Sequence, residues 1–213
     1  MSESKRDINI SKLLSKILRH QAAHEGLKID SKGFVRIEEL LGNNKFKSFR
    51  TNKDDLIRVC DNNNKKRFEI SEDGQFIRAV QGHSLKTINS NEIYEQLTLN
   101  NLHIVPNFNK ISSEKEYFII HGTSVKNYNT IIETGYLKKM NRTHIHFTFE
   151  NNIQEDKVIS GFRNSSKILI YINLIDLLND PNFKNKVFLS KNKVILVSED
   201  IPTKFIHHHL NKN

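Results

Sequence analysis

The chain contains one cysteine, Cys60, so no internal disulfide can form, and the expected setting is an intracellular, reducing compartment. Cys60 falls in a helical pattern and reads as a small core residue rather than a nucleophile. No apolar run approaches the roughly 18 to 20 residues needed to span a bilayer, which argues against a membrane partner. The first residues, MSESKRDINI, lack the apolar core of a signal peptide. Also missing are a glycine-rich phosphate loop, a GxSxG elbow, an HExxH helix and a CxxC pair, so these signatures of nucleotide, hydrolase and zinc sites give no lead. Internal repeats, long low-complexity tracts and coiled-coil heptads are absent as well.

What is present is a basic chain of 213 residues, long enough for one large or two small domains. Hydrophobic residues make up 37% and charged residues 27%, enough apolar material for a soluble core. The formal net charge of +9 is unevenly placed: residues 1–90 hold 18 Lys/Arg against 12 Asp/Glu, residues 91–213 hold 15 against 12. A basic first part suits a polyanion, because Lys and Arg gain by releasing counterions from phosphates.

Residues 1–9 read as a disordered lead-in. In Ser11–His20 (SKLLSKILRH), Leu13, Leu14, Ile17 and Leu18 recur at the spacing of one buried helical face, with Ser11 or Asn9 as the cap. On a wheel of about 100° per residue His20 lies beside that stripe and Arg19 nearly opposite it. Alone, the pattern describes a core helix with a solvated arginine. Phe34–Ile37 reads as a short strand, Glu38–Leu41 as a helical turn, Gly42–Phe46 as a polar loop and Asp54–Asp61 as a second amphipathic helix. Lys66–Ile70 and Gln75–Val80 alternate around Ser71-Glu72-Asp73-Gly74, a hairpin. Helices followed by a β-hairpin outline a winged helix over residues 1–90. A junction falls in the polar stretch 86–100. In residues 91–213, Glu116–His121, Thr143–Thr148 and Lys167–Ile172 read as strands. Val125–Thr134 reads as a helix stopped by Gly135, and Val187–Leu189 with Val194–Val197 as a hairpin. The layout is α+β.

His207-His208-His209 is a poor metal site, since successive side chains point in different directions. His144 and His146 share a strand face but have no third ligand at a convincing spacing, so no metal is expected.

Five blocks then occur in order: LLSKILRH, GFVRIEELL, KKRFEI with IRAVQGHS, HGTS, and MNRTHIHF. Together they resemble the Tpt1/KptA family of RNA 2'-phosphotransferases over roughly residues 11–200. The resemblance implies a winged-helix RNA lobe (residues 1–90) followed by an ADP-ribosyltransferase-like NAD lobe (residues 91–213). It implies removal of an internal splice-junction 2'-phosphate from RNA, expected to be tRNA, with NAD as acceptor. The phosphate would first displace nicotinamide from the ribose. The neighbouring ribose hydroxyl would then attack phosphorus, yielding 2'-OH RNA and ADP-ribose 1'',2''-cyclic phosphate. The family's catalytic tetrad falls on Arg19, His20, Arg67 and Arg142, drawn from both lobes. The resemblance also assigns cofactor contacts to His121, Gly122, Thr123, His144 and His146, and RNA contacts to Lys66 and His83. No metal is implied, and a monomer is expected. The run Lys191-Asn192-Lys193 stands where the family usually has Asn-Gly and an aromatic. Arg163-Asn164-Ser165 stands where it usually has Arg-His-Gly. Two other readings stay open from the residues alone. One is an ADP-ribosyltransferase acting on protein or terminal nucleic-acid phosphates, and the other is a winged-helix protein without catalysis.

Overall fold

The computed structural model describes residues 4–106, 108, 116–149, 158–163 and 165–212. Residues 1–3 of the expected lead-in and Asn164 of the divergent run lie outside them. The chain is mixed α and β, and it divides into two compact units, Met1–Ile93 and Tyr94–Asn213.

The first unit opens with α1 (Lys5–Lys16), which overturns the expected disorder of residues 4–9 and the expected caps. Ser4 caps the helix, its Oγ accepting from Asp7 N at 3.1 Å. Two features hold the early turns. Ile10 and Leu14 are fully buried, and the first turn is tied by charge to α4 (Lys53–Asp61). Arg6 donates to both Asp55 oxygens at 2.5 and 2.6 Å, and Arg58 donates to Asp7 at 2.8 Å and to Asp55 at 2.6 Å. The Arg6 guanidinium holds the Asp55 carboxyl far below the usual carboxylate range. Asp55 also completes a capping box with Asn52 at the start of α4.

Between them lie β1 (Val35–Arg36), α2 (Ile37–Gly42) and α3 (Asn44–Ser48). The stretch read as a polar loop therefore carries a helix, because Asn43 caps it and Phe46 is fully buried. β2 (Phe68–Ile70) and β3 (Phe76–Ala79) form the hairpin, and the sheet order is β1-β3-β2, antiparallel. Its turn closes where Gly74 N donates to Ser71 O at 2.8 Å, with Gly74 at φ +65°. The core gathers Leu14, Ile17, Leu18, Val35, Leu40, Phe46, Leu56 and Ile77. Cys60 packs at its margin, and burial pushes its thiol up to about 12, so it stays protonated. The unit ends with α5 (Ser90–Ile93).

The second unit is built on a seven-stranded antiparallel sheet ordered β12-β8-β5-β7-β10-β9-β4. Its strands are β4 (Glu95–Gln96), β5 (Phe118–Thr123), β7 (Ile145–Phe149), β8 (Ile168–Asn173), β9 (Val187–Leu189), β10 (Ile195–Val197) and β12 (Ile206–Asn211). A separate pair joins β6 (Tyr136–Leu137) to β11 (Ile201–Pro202). The unbroken apolar run of β8 follows from burial on both faces. Ile168, Ile170 and Ile172 enter the main core with Ile119, Phe147 and Ile195, while Leu169 and Tyr171 pack with Ile120, Phe118 and Phe162. α6 (Val125–Thr134) starts at the Ser124 cap and stops at Gly135, φ +74°. α7 (Leu174–Asn179) follows β8 directly and buries Leu174 and Leu177. β12 was not legible as a strand. In it His208 stacks on Tyr171 at 4.3 Å and His209 hydrogen-bonds the Tyr128 hydroxyl at 2.9 Å, so these histidines serve different neighbours.

Candidate active site

In the first unit the chain departs from the regular helix where Arg19 and His20 lie. Ile17–Gln21 is a π-helical turn continuing α1. The wider turn overturns the wheel prediction: His20 is exposed, whereas Arg19 is half-buried with its Nε and one terminal nitrogen shielded from solvent. The segment leaving β3, Gln81-Gly82-His83-Ser84, packs on this turn. Ser84 N donates to Arg19 O at 2.9 Å, satisfying a carbonyl at the helix end. Ser84 Oγ lies 2.9 Å from His20 Nδ1. At Gly82, φ +91°, a Cβ would sit 3.3 Å from Arg19 Nε and 3.4 Å from its Cζ, so a bare backbone supports the guanidinium. His83 is enclosed, and a Cβ on Gly33 would come within 3.2 Å of its Nε2.

Arg67 reaches the same end of the hairpin through backbone pairing: its carbonyl accepts from Val80 N at 2.9 Å, one residue before Gln81. Its side chain approaches Asn63 Oδ1 at 3.5 Å. Lys66, next to it, is exposed and takes a left-handed backbone, φ +42°. Arg19, His20, Arg67 and the GHS segment thus belong to one neighbourhood of the first unit.

In the second unit, His121, Gly122 and Thr123 form the end of β5. His121 Nδ1 lies 3.0 Å from the His146 carbonyl, an acceptor, so Nδ1 carries the hydrogen and Nε2 is left as an acceptor in the neutral ring. Burial lowers the pKa of His121, and Arg142 adds to that, which favours the neutral form. Gly122 N donates to Gly161 O at 2.7 Å, and a Cβ on Gly122 would stand 2.7 Å from Phe162 Cδ2 and 2.8 Å from Ser166 Oγ. A side chain there would have to displace those of Phe162 and Ser166. Thr123 is buried, and its carbonyl accepts from Lys167 N at 2.9 Å.

Arg142 lies on the turn before β7, its N donating to Lys139 O at 3.2 Å. Burial, then the nearby Arg163, lowers its pKa, yet a guanidinium stays charged. A partly desolvated cation beside a second cation is a favourable place for an anion. Arg163, exposed on its loop, belongs to the divergent run, and nothing local in the sequence marks a loop arginine as a neighbour of Arg142.

His144 and His146 are both buried on β7 or its approach. His146 Nδ1 donates to His144 O at 3.1 Å. His144 contacts Thr143 Oγ1 at 2.8 Å and meets Tyr94 and Phe188 edge-on, at 5.2 and 5.7 Å between rings. Burial brings its pKa down to about 4. Among the described residues no cluster of three or more His, Cys, Asp or Glu could hold a metal ion, and no helix is long and apolar enough to cross a membrane.

The clustered arginines and histidine suit a phosphate group, the chemistry of a transferase or phosphate-binding protein, and comparison with known proteins fixes the class. Residues 5–199 match the family described as RNA 2'-phosphotransferase, Tpt1/KptA family. The chain is 36% identical over 212 residues to the tRNA 2'-phosphotransferase of Saccharomyces cerevisiae, covering 97% of this chain and 84% of that protein. It is also 36% identical over 206 residues to the tRNA 2'-phosphotransferase 1 of Danio rerio, covering 93% and 81%. The protein is a transferase. It belongs to the Tpt1/KptA family of RNA 2'-phosphotransferases.

Proposed function

We propose that this chain is an NAD-dependent tRNA 2'-phosphotransferase that removes the 2'-phosphate left at a splice junction. The tRNA substrate is taken from the names of the yeast and zebrafish relatives. The observation that carries the reading is that one chain holds two complementary sites. Arg19 and His20 are braced by the Gly82–Ser84 segment, and a tautomer-fixed His121 stands beside Gly122, over which Phe162 and Ser166 pack.

The first unit is read as a winged-helix RNA lobe. Helices followed by a hairpin in the antiparallel β1-β3-β2 sheet support that reading, and 18 Lys/Arg support a polyanionic partner. Arg19 and Arg67 would grip the phosphate, which carries about −1.5 to −2 charge, and Lys66 would meet the neighbouring backbone. His20 would give a hydrogen bond to the phosphate, or a proton to the departing RNA 2'-oxygen. His83, enclosed as it is, would shape the turn that supports them.

The second unit is read as an ADP-ribosyltransferase-like NAD lobe. One observation supports NAD there: the neutral His121 offers Nε2 as an acceptor for a ribose hydroxyl, at the strand end that also carries Gly122 and Thr123. Thr123 would extend that edge, and the His146 carbonyl fixes the His121 ring while His146 Nδ1 in turn donates to the His144 carbonyl. When bound, NAD would supply the breakable nicotinamide–ribose bond and the carbon that accepts the phosphate. Arg142 would hold the phosphate or the charge near it. No general base is needed to activate a 2'-phosphate that is already anionic, so positioning and charge carry the first step.

Incubated with NAD and an oligoribonucleotide bearing one internal 2'-phosphate, the protein is expected to release nicotinamide and leave a 2'-hydroxyl, with activity undiminished in EDTA. Release of inorganic phosphate without nicotinamide would overturn the NAD reading.

A further inference from the structure

We propose that Ser84 is a positioning residue of this reaction, whose hydroxyl holds the His20 ring while Nε2 changes between proton donor and acceptor. The inference rests on the reading of Arg19 and His20 as the phosphate-handling pair. Ser84 is clamped to the π turn independently of its side chain, through its N–H on the Arg19 carbonyl at 2.9 Å. From that anchor its Oγ reaches His20 Nδ1 at 2.9 Å. Two residues earlier, Gly82 presents bare backbone to the Arg19 guanidinium. One short segment therefore sets both side chains.

The partner's chemistry matters. A hydroxyl both donates and accepts, and it rotates to suit. With His20 protonated, Nδ1–H donates to Ser84 Oγ and Nε2–H faces the substrate. As the bond from phosphorus to the RNA 2'-oxygen breaks, the Nε2 proton passes to that oxygen. Phosphorus meanwhile bonds an incoming hydroxyl oxygen, whose proton leaves to water. His20 is then neutral with its hydrogen on Nδ1, still donating to Ser84. In the other neutral tautomer Ser84 donates to Nδ1 and Nε2 keeps its hydrogen. The ring needs no movement in any of the three states. His121 shows the contrasting design: its Nδ1 faces a carbonyl, which accepts only, and one neutral tautomer is fixed.

The test uses the full chain. Single-turnover rates on an oligoribonucleotide with one internal 2'-phosphate, with NAD present, are measured from about pH 5.5 to 8.5. Ser84→Ala is expected to slow the reaction by about 10- to 100-fold and to shift the pH profile, and Ser84→Thr to recover most of the loss. The double variant His20→Ala/Ser84→Ala should be no slower than His20→Ala alone, because Ser84 acts through His20. In the protein without substrate, the ring ¹⁵N shifts of His20 should report a changed tautomer balance or pKa in Ser84→Ala. A Ser84→Ala rate within twofold of the parent, losses that multiply in the double variant, or unchanged ¹⁵N shifts would each overturn the inference. A fully active His20→Ala is a different result, and it would remove the underlying reading of the site itself.

Discussion

His144 shows how one side chain can be informative without touching substrate. Its ordinary value is 6.5, and burial beside Tyr94 and Phe188 brings it to about 4 in the folded chain. Between those values the unfolded chain binds a proton that the folded chain does not. The stability contributed is therefore complete above about pH 6.5 and is lost as the pH falls toward 4. A shift of this size corresponds to on the order of 3 kcal/mol. His121, also lowered by burial, adds to the same slope. Urea unfolding at pH 7 and pH 5 should show a fall in stability that becomes shallower in His144→Phe. An unchanged slope in that variant would show that His144 is not the group responsible. The two sites also use histidine differently. His121 is fixed by a carbonyl and kept neutral by burial, whereas His20 is exposed and faces a hydroxyl.

At the scale of elements, α1 is held by its two ends as well as by the buried Ile10 and Leu14. Its N-terminus is held by the Ser4 cap and by charge pairs to α4, and its C-terminus opens into the π turn that carries Arg19 and His20. Ser4→Ala should lower stability by about 1 kcal/mol, the usual effect of losing a cap. Asp55→Ala should lower it further, since it removes the α4 capping box and leaves Arg6 and Arg58 without that carboxylate. Denaturant midpoints of the two variants give the comparison, and equal midpoints would show that the ion pairs contribute little. The site end of α1 should follow: slower turnover in Asp55→Ala at temperatures where the chain remains folded would show that the helix start helps place its last turn.

At the scale of the whole molecule, each compact unit has its own hydrophobic core, one around Leu14, Phe46 and Leu56, the other around Ile119, Phe147 and Ile195. Residues 1–93 alone should bind RNA with an affinity that falls steeply as salt rises, because the attraction is to phosphates. Residues 94–213 alone should retain NAD affinity. On the proposed function neither piece should convert 2'-phosphorylated RNA, because the residues read as handling phosphate, Arg19, His20, Arg67 and Arg142, are divided between the pieces. Filter binding at several salt concentrations and a nicotinamide-release assay on each piece check this, and turnover by residues 94–213 alone would refute that proposed division of roles.

Much of the chain was legible from local pattern. The helix Val125–Thr134 with its Gly135 stop, the hairpin around Ser71–Gly74 and the strands at 118–123, 145–149 and 168–173 follow from periodicity and turn chemistry, which act over a few residues. Five short blocks in order also carried the family, because sequence similarity needs no coordinates. The ordered start of α1 escaped, since it depends on Arg58 and Asp55 some 50 residues away. So did α3, held by a buried Phe46, and β12, which exists by pairing with β8. The π turn reversed the exposures of Arg19 and His20, and no wheel with a fixed angle per residue could show that. Which nitrogen of His121 bears hydrogen, which backbone supports Arg19 and which side chains pack over Gly122 were decided only by tertiary structure. Each depends on groups far apart in the chain, and only folding brings them within a hydrogen bond or a van der Waals contact.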